Sequence, residues 1–131
     1  MRFTGVIVGA AFALALAPAY GNAATEANFT AKTTGDLVAL CDPQSGSVLD
    51  NAGINFCEGF LQGAVLVEQQ HQANPRSKQF FCLPDPAPTR TEAISGFVAW
   101  AHAKPERLDM SAVDGLISFL GERYACPKKH R

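Results

Sequence analysis

The sequence predicts an all-α fold: a small single domain, a bundle of about four helices, stapled by two disulfides. Three observations carry this. Apolar residues recur at helical spacing in four stretches, and prolines, glycines and short polar runs separate them. Four cysteines, Cys41, Cys57, Cys82 and Cys126, form an even set with no close pair. The first residues read as an export signal, which places the remainder in an oxidising compartment where such cysteines cross-link.

The signal comes first in the chain. Met1 and Arg2 give a positive start, residues 5–17 are uncharged and apolar, and Pro18 ends the run. Gly21-Asn22-Ala23 then offers small residues where a signal peptidase reads, so residues 1–23 are expected to be removed after Ala23. The apolar run is shorter than the roughly 20 residues a bilayer core demands, so no membrane association is expected after cleavage. The mature domain, residues 24–131, has about 108 residues, one domain's worth. The whole chain carries a formal net charge of −1, and losing Arg2 makes the product slightly more acidic.

Residues 24–32 are small and polar without periodicity, and are expected to be a frayed lead-in. Thr33-Thr34-Gly35-Asp36 provides hydroxyl caps and an acid in the first turn of a short helix that stops before Pro43. Residues 42–47 read as a loop. Residues 48–71 form the longest helical pattern, expected to be the central helix. Ala52, Phe56, Phe60, Gly63 or Ala64, and Val67 fall on one face, and Leu61 and Val65 widen it. Gly59 and Gly63 lie one turn apart and cost helix propensity, so a close approach to the backbone, by another helix or by the Cys57 cross-link, is expected there.

Residues 72–79 form a polar, positively charged loop, and Phe80-Phe81-Cys82-Leu83 returns to the core. Pro84, Pro86 and Pro88 make a stiff, non-helical connector. Thr89-x-x-Glu92 has the form of a capping box, after which Ile94, Phe97, Val98 and Ala101 follow at helical spacing. Lys104-Pro105 ends that helix. Asp109 or Ser111 caps the last one, whose stripe is Val113, Leu116, Ile117, Leu120 and Tyr124, and Pro127 stops it. So short a link predicts antiparallel third and fourth helices, which brings Cys82 near Cys126. Cys41 closes the first helix and Cys57 lies near the start of the second. Pairing 41 with 57 and 82 with 126 is therefore favoured, though four cysteines permit three connectivities.

Other uses of these residues are weaker. Structural zinc sites present close pairs such as Cys-x-x-Cys, and none exists, so no metal is expected. Lys128-Lys129-His130-Arg131 is the one cationic concentration and reads as a solvated end, so no nucleic-acid partner is expected. No nucleophile sits in a known motif, and neither catalysis nor a cofactor is expected. An enzyme would require Glu58, His71 and His102 to converge in one pocket. Trp100 lies beside its helix stripe, either a core edge or an interface anchor.

Taken in order, Gly35-Asp36-Leu37 running into Cys41, Cys57-Glu58-Gly59-Phe60-Leu61-Gln62-Gly63, Phe81-Cys82-Leu83-Pro84, Pro105-Glu106-Arg107 and Tyr124-Ala125-Cys126 resemble the Tai/Rap family of immunity proteins. These are periplasmic antidotes to peptidoglycan amidase toxins of type VI secretion systems. The resemblance implies a small helical domain, often a homodimer, that occludes the active site of a secreted amidase effector without a cofactor or chemistry of its own. The loops at residues 73–79 and 42–51 are candidates for contact with that partner, with Asn74, Arg76, Lys78 and Gln44 as contact residues. An exported acid-stress chaperone of the HdeA type, also small, helical and disulfide-bonded, is the alternative.

Overall fold

Each of the four helices starts at a hydroxyl residue followed three positions later by an acid. The computed structural model of the chain describes residues 23–42 and 46–128. Gln44, residues 129–131 and the export signal up to residue 22 lie outside the described residues. The helices are α1 (Thr34–Cys41), α2 (Val48–Gln72), α3 (Arg90–His102) and α4 (Ala112–Arg123), with short 3₁₀ turns at Glu26–Thr30 and Pro105–Arg107. Among the described residues the only strand-like pairing is an isolated bridge between Thr33 and Ser111. The side chains of Thr33, Ser47, Thr89 and Ser111 accept from the backbone N–H of Asp36, Asp50, Glu92 and Asp114. Each bond satisfies a donor that the first helical turn leaves orphaned.

At α1 and α3 the acid reciprocates: Asp36 accepts from the Thr33 N–H at 3.0 Å and Glu92 from the Thr89 N–H at 2.8 Å. Burial pushes the Asp36 carboxyl up, but hydrogen bonds from the Thr33 backbone, the Asn28 amide and the Thr33 hydroxyl outweigh it and hold it below its ordinary value of 3.8. Glu92 is held below 4.5 by the Thr89 backbone and hydroxyl. A carboxyl whose pKa is lowered on folding adds stability that is fully present above the unfolded value and is lost as pH falls through the folded one. Asp36→Asn is therefore expected to destabilise at neutral pH by about 1 kcal/mol and to flatten the acid limb of stability against pH. Urea unfolding at about pH 6 and about pH 3 measures this, and an equal loss at both would contradict it.

The hub is α1 and not the long α2 that the pattern suggested as central. Thr34, Leu37, Val38, Leu40 and Cys41 of its 8 residues are buried, and it packs against α2, α3, α4 and the first 3₁₀ turn. Around it Cys57, Leu61, Phe81, Ile94, Phe97, Ala101, Leu116, Phe119 and Leu120 complete one core. The expected lead-in is not frayed. Its 3₁₀ turn places Asn28 to donate to Asp36 at 2.9 Å and sets the Phe29 ring edge-on to Phe56, with centroids 5.7 Å apart.

The buried face of α2 is rolled relative to the expected stripe. Gly53, Cys57, Leu61 and Glu68 face inward and Phe56, Phe60 and Ala64 are half-buried, whereas Ala52 is exposed and Val67 is 71% exposed. Two contacts with α1 set the roll: Cys57 must reach Cys41, and a Cβ at Gly53 would lie 3.3 Å from the Leu40 carbonyl. The close approach expected at Gly59 and Gly63 is absent, since nothing among the described residues lies within 4 Å of a Cβ built at either.

Both favoured disulfides are formed, Cys41–Cys57 with Cα atoms 5.2 Å apart and Cys82–Cys126 with Cα atoms 4.8 Å apart. The third and fourth helices meet through aromatic side chains. Phe97 and Trp100 both meet Phe119, and the Trp100 indole N–H donates to Glu122 in the last turn of α4 at 2.8 Å. Arg107, from the connection, lies 4.1 Å over the Trp100 ring, donates to the Trp100 carbonyl at 2.6 Å and pairs with Glu122 at 3.1 Å. Trp100 is thus the edge of the core, clamped by a cation on its exposed face.

Candidate functional site

The turn between α2 and α3 is held by a carboxylate that the sequence pattern did not single out. Glu68 sits one turn before the end of α2, where the helix dipole opposes a negative charge, yet it is only 3% exposed. Fixed donors offset that position. Glu68 Oε1 accepts from the Phe80 N–H at 2.8 Å and from Gln72 Nε2 at 2.9 Å, and Gln72 also donates to the Phe81 carbonyl at 2.8 Å. The other oxygen lies 3.5 Å from His71 Nδ1, and the His71 ring stacks on Phe80 at 5.3 Å. Both ends of the turn are therefore tied to α2. The Cys82 N–H then donates to the Tyr124 carbonyl at 2.8 Å, and the second disulfide fastens the returning chain to the end of α4.

Within the turn, Asn74 shapes the backbone: its carbonyl accepts from the Ser77 N–H at 3.0 Å and its side chain from the Arg76 N–H at 3.1 Å. Arg76 and Lys78 are exposed, and neither side chain has an ion-pair partner among the described residues. Three of the expected contact residues thus share one pre-ordered, cationic turn, while Gln44 lies outside the described residues. The other expected loop is shorter than residues 42–51, because Ser47 is the cap of α2 and residues 48–51 are its first turn.

Beside the cationic turn runs an apolar groove of about 550 Å³ between α2 and α4. Leu116 forms its buried floor, and Val67, Phe80 and Val113 stand on its walls. Val113 was expected in the core stripe of α4, but it is 59% exposed, because Ala112 and Gly115 take the positions facing α1. Other depressions lie elsewhere on the described residues. Glu58, ion-paired with Arg90 at 3.5 Å, lines one, and His102 lines another beside Asp36 and Asp109. Glu58, His71 and His102 therefore lie in three separate depressions and form no joint site. Among the described residues no His, Cys, Asp or Glu cluster is placed to hold a metal ion, and no helix is long and apolar enough to cross a membrane.

A family model of Rap1a immunity proteins matches residues 33–126. The chain belongs to that family. No curated protein and no solved structure matches it. The match opens at Thr33, the cap of α1, and closes at Cys126, the last disulfide residue, so all four helices and both cross-links fall inside it. The Asn28 and Phe29 contacts are additions in front of it. Membership in the Rap1a family indicates an immunity protein directed against a secreted effector, a role carried by binding a partner.

Proposed function

We propose that this protein is exported to the periplasm with loss of residues 1–23, and that it binds a peptidoglycan amidase effector of a type VI secretion system and occludes its active site. The match to Rap1a immunity proteins across the whole stapled body carries this reading. The physical form suits the task. An inhibitor that must bind in one geometry loses affinity to every segment ordered on contact, and here that cost is met during folding. The turn at residues 73–79 is pinned through Glu68 and Gln72 at its base and through Cys82 behind it, leaving Arg76 and Lys78 free to meet a carboxylate. An oxidising compartment is what two formed disulfides and no free cysteine require.

The test is periplasmic expression of a candidate peptidoglycan amidase, sought among the neighbouring genes, with and without the chain. Growth is expected to be rescued, and the two purified proteins are expected to co-elute with amidase activity on peptidoglycan suppressed. Lysis despite expression, with no complex formed, would reject the reading for that amidase. An acid-stress chaperone would behave differently, binding an apolar fluorescent dye strongly at low pH with its disulfides intact.

A further inference from the structure

We infer that the groove between α2 and α4 is an anchoring site for a partner segment that presents one large apolar side chain next to a lysine or arginine. This rests on the immunity reading for the identity of the partner, but not for the chemistry of the site. Large apolar side chains are exposed among the described residues at Val48, Leu66, Val67, Phe80 and Val113, and three of those five stand on the walls of this one groove. Exposed apolar side chains scattered singly are ordinary, whereas three gathered over a buried floor at Leu116 make a patch that a partner can cover. The groove's volume of about 550 Å³ lies in the range of roughly 300–1,000 Å³ that holds ligand-sized groups.

The charge in its lining selects the occupant. The ionisable side chains that line the groove are Glu68, Asp114 and His71, and no lysine or arginine is among them. The donors to the buried Glu68, the Phe80 N–H and the Gln72 amide, are neutral, so they hold the carboxylate in place without cancelling its charge. Asp114 stands exposed on the α4 side and accepts from the Ser111 hydroxyl, again a neutral donor, at 2.7 Å. His71 lies 3.5 Å from Glu68, and even as an imidazolium it offsets only one of the two carboxylates. The lining is therefore net negative in either state of that histidine. A cation is complementary to it, and the exposed Phe80 ring adds to the attraction, since an aromatic face draws a positive charge. The stem of a lysine or arginine lies along apolar walls while its head reaches a carboxylate, so a basic residue and its apolar neighbour fit one groove. Arg76 and Lys78, on the turn before Phe80, are outside the lining. A second copy docking about a twofold axis through the groove would set carboxylates against carboxylates, which disfavours self-association.

The experiment is an NMR titration of the oxidised, ¹⁵N-labelled chain with the capped peptide Lys-Arg-Phe-Arg-Lys. The controls are Lys-Arg-Ala-Arg-Lys, which lacks the apolar anchor, and Asp-Glu-Phe-Glu-Asp, which reverses the charge. Shifts are expected at the amides of Val67, Phe80, Val113 and Asp114, with affinity about tenfold or more weaker for either control. Phe80→Ala and, separately, Asp114→Lys should each weaken the basic peptide by about tenfold or more, with unchanged far-UV circular dichroism. Val48→Ala should leave the response intact, since Val48 lies about 18 Å along α2 from the Phe60 end of the groove. No response, an equal response to the acidic peptide, an unchanged response in Asp114→Lys, or shifts centred elsewhere overturn the inference. Concentration-dependent shifts at the same amides without peptide would assign the groove to self-association and also overturn it. A candidate amidase separates the two levels. If it binds wild type and Phe80→Ala equally, the groove assignment falls and the immunity reading stands. If it binds neither while the basic peptide maps to the groove, the assignment stands and the amidase pairing falls.

Discussion

Replacing Cys82 and Cys126 together by alanine is expected to cost about 4 kcal/mol, and replacing Cys41 and Cys57 about 3 kcal/mol, through the longer and shorter loops they close in the unfolded chain. The sequence separations are 44 and 16 residues. A domain of this size has roughly 5–15 kcal/mol of stability in total, so either loss is a large share of it. For the first pair the melting temperature should fall by on the order of 20 °C, read by thermal circular dichroism. The two bridges also differ in access. Cys41 and Cys57 are 3% and 0% exposed, whereas Cys82 and Cys126 are half-buried. Thiol–disulfide exchange needs a thiolate to reach a sulfur, so mild reductant should open Cys82–Cys126 first. Mass spectrometry after alkylation at increasing reductant reads that order. Simultaneous opening of both bridges would show that global unfolding, and not local access, controls reduction.

Gly115→Ala is expected to destabilise by about 2–3 kcal/mol, although alanine is the better helix former. A Cβ at Gly115 would collide with the Thr34 hydroxyl oxygen, and it would sit 3.0 Å from the Thr34 Cβ and 3.1 Å from its methyl carbon. Thr34 cannot move aside. It is fully buried, its hydroxyl donates to the Ser111 carbonyl at 3.1 Å, and its N–H donates to the Met110 carbonyl at 2.8 Å. This is the point at which the Thr34 side chain of α1 sits against the Gly115 backbone of α4, and a methyl group there pries the hub from its neighbour. Gly59→Ala and Gly63→Ala should have the opposite sign, each stabilising by about 0.5–1 kcal/mol, because the new methyl meets open space. Chemical denaturation of the three variants gives the signs directly. A neutral Gly115→Ala would mean that α4 shifts freely along α1, which the Thr34 bonds oppose.

Much of this architecture was legible in the chain. The caps are local devices, satisfied within three residues, so Thr33, Thr89 and Ser111 could be found by inspection. The regular spacing of Ser/Thr and Asp/Glu at all four helix starts, including Ser47 with Asp50, was a stronger signal than any one of them. Disulfide pairing was legible because helix ends limit which cysteines can meet. Of the site, the cationic turn with Arg76 and Lys78 was visible as a charge run between helices. Glu68 was not, because it stood among glutamines and on a face whose direction depended on the roll of α2. The one hint was its sign: an acid in the last turns of a helix works against the dipole, and such a residue asks for a tertiary donor.

Local chemistry therefore determined from the sequence where each helix begins and ends and the all-α class, and helix order favoured one of three sulfur pairings, the one the structure shows. Hydroxyl caps, prolines and 3.6-residue spacing act over a few neighbours and need no knowledge of the rest of the molecule. Which helix is the hub, how α2 is rolled, which glycines are crowded and which apolar side chains remain outside were decided only by the tertiary structure. A stripe of Ala52, Phe56, Phe60 and Val67 and a stripe of Gly53, Cys57 and Leu61 differ by one residue, or about 100° of rotation, and periodicity alone does not choose between them. The choice was made by contacts distant in sequence, Cys57 with Cys41 and Leu40 on Gly53, and it turned Val67 outward to form the groove with Phe80 and Val113.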